Sequence, residues 1–117
     1  MILSLMEHYP ERLNGIFQAL ADPTRRAVLE QLRHGPASTS DLARPFRMAL
    51  PSFAQHLWML ERSGLVRSHK SGRVRTYRLQ PRPIAAAEHW LSDQREGWER
   101  RLDRLDAHLA LTKETKL

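Results

Sequence analysis

A chain of 117 residues with a net charge of +6, 41% hydrophobic and 27% charged side chains has the make-up of one folded domain, not of a disordered segment. It has no cysteine, which excludes disulfides, thiolate metal sites and thiol redox switching, and no apolar run approaches the length of a membrane span. The opening residues, Met1 to Met6, lack a basic flank and a cleavage-type site, so a secretory signal is not expected.

A first helix is expected over about 7–20, with Leu13, Ile16, Phe17 and Leu20 as its apolar stripe and Gly15 as a weak point inside it. In "ADPTRRAVLEQLRHGP", Asp22 is a good N-cap and Pro23 suits the first helical position, where no amide hydrogen is needed. Val28, Leu29 and Leu32 form the buried stripe of this second helix, and Gly35-Pro36 stops it. Ser38 with Asp41 resembles a capping box, and Pro45 limits the third helix to little more than two turns around Leu42.

The fourth helix, "LPSFAQHLWMLERSGL", carries Leu50, Phe53, Leu57 and Leu60 at burial spacing. Ser52, Gln55, Met59 and Arg62 fall on the opposite side, with His56 and Trp58 at the margins. Two short helices joined by a tight connection, the second with an exposed polar face, form a helix-turn-helix pattern. After Gly64 the period changes to that of strands, in two runs around Ser71-Gly72. Pairing Lys70 with Arg73 would set Val66 opposite Tyr77 and leave Lys70, Arg73 and Arg75 near a basic tip. Pro81 and Pro83 then lead into a last helix over about 84–111, roughly 40 Å long. Ile84, Leu91, Trp98 and Leu105 recur every seven residues, with Leu102 and Leu109 beside them, a stripe longer than one small domain can cover. The expected fold is mainly α with a small β-hairpin, a winged helix-turn-helix in the order α-α-α-α-β-β-α, with core residues 22–80 flanked by dimerisation helices at 7–20 and 84–111.

Charge is concentrated. Residues 44–82 hold nine Lys or Arg against Glu61 alone, whereas the rest of the chain is slightly acidic. Such a patch is how a polyanion-binding surface reads in sequence. No nucleophile elbow, glycine-rich phosphate loop or paired-carboxylate pattern is present, so catalysis is not expected. His89 and Asp93 share a helix face, yet surface hydrogen bonding accounts for them more simply than a metal, and no cofactor is expected.

The stretch from Leu20 to Leu79 strongly resembles the ArsR (arsenic-repressor type) winged-helix transcriptional regulators, and the similarity covers about residues 16–79. Its most specific parts are Ala21-Asp22-Pro23-Thr24-Arg25, Gln55-His56-Leu57 with Leu60, Gly64-Leu65-Val66, and Gly72-Arg73 with Tyr77. The resemblance implies a homodimer built from the first and last helices, the fourth helix in a DNA major groove, and a bacterial, cytoplasmic, nucleoid-associated repressor that occludes a promoter and is released by an inducer. Two features of the family are missing. Metal-sensing members carry paired cysteines in the third helix, and "ASTSDLA" has none; Asp106-Ala-His108 echoes half of another family zinc motif whose second half does not follow.

On this reading Ser52, Gln55, His56, Met59 and Arg62 face double-stranded DNA, while Arg47, Lys70, Arg73 and Arg75 meet its backbone or minor groove. His56 reads equally well as a packing histidine bonded inside the protein. Ile16, Phe17, Leu91, Trp98, Leu102, Leu105 and Leu109 are the expected dimer contacts, and an imperfect palindrome is the expected operator. The competing reading is a winged-helix protein-interaction module with only nonspecific DNA affinity.

Overall fold

The computed structural model describes residues 12–115. Helix α1 covers 12–20, so its expected start lies outside the described residues. Then follow α2 (Pro23–Leu32), β1 (Ala37–Ser38), α3 (Thr39–Ala43), α4 (Leu50–Arg62), β2 (Val66–Ser71), β3 (Val74–Leu79) and α5 (Pro81–Thr115). The chain divides after Ala87 into two compact units, the second consisting of the outer part of α5. No helix among the described residues is long and apolar enough to cross a membrane.

Local chemistry sets the boundaries. Asp22 accepts the Arg25 amide at 3.0 Å and Pro23 opens α2, as the sequence predicts. Ser38 caps α3 through the Asp41 amide at 3.2 Å, but that helix has only five residues, shorter than expected. Helix α4 ends in a Schellman motif: the Gly64 amide donates to the Glu61 carbonyl and the Leu65 amide to the Leu60 carbonyl. Gly64 has φ +83°, which a side chain would resist. The core joins Ile16 and Ala19 of α1, the Val28, Leu29 and Leu32 stripe, Leu42, and Phe53, Leu57 and Leu60 of α4 to Val66, Tyr77 and Ala87.

The sheet has three strands in the order β1-β3-β2, all antiparallel, and β1 was not expected. Ala37 pairs with Tyr77 and Ser38 with Thr76, which ties the entrance of α3 to the base of the wing. The hairpin register also corrects the sequence reading by two residues. Lys70 pairs with Arg75, Ser68 with Tyr77 and Val66 with Leu79, so Gly72-Arg73 forms the turn. Gly72 has φ +61° and no other residue type among those described has positive φ, which suits glycine leading a two-residue turn. A slip of two leaves every side chain on its face, so Val66 and Tyr77 still point to the core. Burial and the nearby Glu61 carboxylate push the Tyr77 phenol up, which keeps it neutral.

Two further expectations fail. Leu50 is 66% exposed. It lies on the inward side of α4 but at the first residue, a turn before Phe53, where no described element covers it. The last helix begins at Pro81 and runs 35 residues, about 52 Å, beyond the expected 84–111.

Candidate nucleic-acid interface

Helix α4 is anchored by Phe53, Leu57 and Leu60, with the Phe46 ring 5.4 Å from that of Phe53. Its N-cap, Ala49, offers no side-chain bond. With the inner face held, Ser52, Gln55 and Arg62 are exposed together on the other side. Trp58, placed at the margin by helical spacing, is 58% exposed, and the Arg62 guanidinium lies over its ring at 5.1 Å. Met59 and His56 are half-buried and turn toward α2: the Arg25 Nη1 donor is 3.5 Å from Met59 Sδ and 3.1 Å from His56 Nδ1.

The wing lies directly after α4 and is bonded to it. Ser68 Oγ donates to both Glu61 carboxylate oxygens at 2.9 Å, and Arg75 Nη1 donates to Ser68 Oγ at 3.0 Å. Arg75 is therefore held by the C-terminal turn of α4, while Lys70 and Arg73 are exposed. The observed register also sets cation against cation twice, Lys70 opposite Arg75 and Arg67 opposite Arg78. Like charges directly opposite destabilise a hairpin, so these pairs favour a polyanion that lies between or along them. Arg67 and Arg78 are on the hairpin face away from the core and were not among the expected site residues; strand parity gave their face, but the pairing depended on the register. Arg47 is exposed in the connection before α4.

A helix-turn-helix domain family matches residues 20–69. The HTH-type transcriptional regulator Rv2034 of Mycobacterium tuberculosis is 41% identical over 86 residues, 74% of this chain and 78% of that protein. The transcriptional repressor SdpR of Bacillus subtilis is 30% identical over 79 residues, 68% of this chain and 88% of its own. A crystal structure described as the ArsR family transcriptional regulator RHA00566 is 62% identical, with a TM-score of 0.75 over 77% of this chain and 93% of the other. The chain belongs to the ArsR family. It is a winged helix-turn-helix DNA-binding regulator of transcription and not an enzyme.

Within this ArsR-family fold the residues expected at a dimer contact part company. Ile16 keeps only 4% of its surface and belongs to the chain's own core, because α1 packs its inner face there; it has almost nothing left to offer a partner. Phe17 is partly buried against the same core. Leu91, Trp98, Leu102, Leu105 and Leu109 are all exposed, as is every described side chain from Trp98 to Thr112. Among the described residues no group of three or more His, Asp or Glu gathers as a metal site, and His89 Nε2 and Asp93 Oδ2 stand 3.4 Å apart as an exposed pair.

Proposed function

We propose that this ArsR-family regulator is a dimeric repressor that occupies an imperfect palindrome and blocks the promoter there, in the bacterial cytoplasm on the nucleoid. Residues 22–80 form the DNA-reading core; α1 and α5 form the dimerisation helices. The observation that carries this reading is the pairing of one exposed polar face, Ser52 and Gln55 on α4, with a wing whose basic residues face one another across the hairpin.

Gln55 suits a bidentate pair with adenine N6 and N7, and Ser52 suits a base or a phosphate. Met59 reaches a thymine methyl only from the margin, since its sulfur lies against Arg25. Arg47, Arg62, Lys70, Arg73 and Arg75 supply phosphate contacts, which set orientation without reading sequence. The exposed apolar stripe on α5 is too large to be left in water by a monomer, and a second copy with the same stripe is the economical partner. Two recognition helices about 34 Å apart then meet successive major grooves. SdpR, similar over most of its length, is named a repressor, which supports that direction of control.

Selection of bound sites from random duplex DNA, followed by gel shifts, tests the reading. Gln55→Ala should lose discrimination between selected and random DNA more than general affinity. Arg73→Ala should weaken both alike and lower the salt slope by about 0.9. Equal competition by any DNA would instead support the interaction module, for which the α5 stripe would be the working surface.

A further inference from the structure

Arg25 makes four side-chain contacts, and DNA reading as set out above gives it no task. Its Nε donates to the Ala19 carbonyl at 2.9 Å and its Nη2 to the Gln18 carbonyl at 2.7 Å, at the end of α1 where carbonyls run short of helical donors. Its Nη1 turns to α4 instead and sits 3.1 Å from His56 Nδ1. The same guanidinium thus bridges the end of one helix to the middle of the recognition helix.

The chemistry of that contact fixes a proton. A guanidinium has only N–H donors and stays charged at any ordinary pH, so a ring nitrogen bonded to it must accept. In neutral His56 the lone pair is then on Nδ1 and the proton on Nε2. The two nitrogens point to different sides of the ring. Nδ1 faces Arg25, with Asp22 Oδ2 at 3.7 Å behind it. Among the described residues Nε2 has no partner and no buried side-chain nitrogen or oxygen lacks one, so Nε2 is not enclosed by them. The sequence offered two roles for His56, inward packing or outward donation; the ring geometry lets it fill both.

We propose that Arg25 is a positioning residue that holds His56 as the Nε2–H tautomer, so that α4 presents a fixed ring N–H donor at the margin of its exposed face to a hydrogen-bond acceptor on the duplex. The use of that donor rests on the DNA reading; the tautomer does not. Without Arg25 the imidazole would exchange its proton between the two nitrogens, and the outward atom would be donor in one form and acceptor in the other.

Two measurements test this. Long-range proton–nitrogen correlation on the free full-length chain at mildly alkaline pH should place His56 Nδ1 in the unprotonated range and Nε2 in the protonated one. Arg25→Ala should bring the two signals together, with its folding checked by a thermal melt. A protonated Nδ1 in the wild type, or identical spectra in the two proteins, would overturn the proposal. The second measurement uses His56→Gln, whose amide nitrogen falls near the Nε2 position, and His56→Asn, whose amide falls near Nδ1. On the selected site, His56→Gln should stay within about threefold of wild type and His56→Asn should weaken by about tenfold, one hydrogen bond to DNA. A loss confined to the selected site marks a base acceptor; an equal loss on random duplex marks a phosphate. Wild-type affinity for His56→Asn would overturn the outward donor. Should the wild type prefer no duplex at all, the DNA reading falls, and the ring spectrum still decides the tautomer.

Discussion

Phe53 and Trp98 are both large apolar residues on helices, yet Phe53 keeps 1% of its surface exposed and Trp98 keeps 63%. The winged-helix unit buries its apolar stripes against one another, stripe by stripe, from α1 through Ala87. The outer part of α5 has as regular a stripe, and its Leu91, Trp98, Leu102, Leu105 and Leu109 are each at least half exposed. The hydrophobic driving force per unit area is the same in both regions. What differs is that each stripe of the winged-helix unit meets a second surface inside that unit. A core needs at least two elements; a lone helix with a seven-residue repeat is half of one.

The contrast can be broken or sharpened by substitution. The largest effect should come from Phe53→Ala, which should cost about 3–5 kcal/mol in a denaturant melt, while Leu105→Ala should cost under about 0.5 kcal/mol at concentrations where the chain is monomeric. Leu105→Ala should act instead on self-association in sedimentation; similar losses of stability for both would show that the two regions are one cooperative unit. The glycines should give opposite signs. Gly64→Ala forces a side chain to φ +83° with Pro83 Cγ 3.4 Å from the new Cβ, and should destabilise by about 1–2 kcal/mol. Gly97→Ala, with nothing within 4 Å of the new Cβ, should stabilise α5 by about 0.5–1 kcal/mol, read from helical content.

Smaller effects belong to the caps. Ala49→Ser should add about 0.5–1 kcal/mol by supplying the missing bond at the start of α4. Asp22 should make stability depend on acid. Burial alone would raise its carboxyl, but the bond from the Arg25 amide and the charges of His56 and Arg25 outweigh it, and the value falls below the usual 3.8. A lowered folded value means the contribution is complete above the unfolded value and is lost as pH falls through the folded one. Asp22→Asn, which can still cap α2, should remove that acid-dependent part and so lower stability at neutral pH while leaving it nearly unchanged in acid; an unaltered acid profile would remove Asp22 from the account.

Where the sequence and the structure agree, the signals are local. Asp22-Pro23, Ser38 with Asp41, and Ser63-Gly64 each fix a boundary within a few residues of themselves. Where they disagree, the deciding partner is distant. Strand β1 is two residues with no pattern of their own, defined by Tyr77 and Thr76 some forty positions on. Periodicity tells which side Leu50 faces, but not that no described element meets it there. The hairpin parity was legible, while the offset of two was not, since both registers bury the same face and only the turn geometry at Gly72 separates them. The site shows the same division. Gln55 and Ser52 could be placed from helical spacing, whereas the contacts of Arg25 with His56 and Met59 span 31 and 34 residues and leave no trace in spacing.

The facing cations of the wing carry a further consequence, for ionic strength. With Lys70 beside Arg75 and Arg67 beside Arg78, the unbound hairpin strains against its own field, and added electrolyte should relax it over distances of about 10 Å. The same ions compete for a nucleic-acid partner. Salt should therefore firm the free protein while loosening its hold on a duplex, so that the bulk solution tips the wing between two ways of being neutralised.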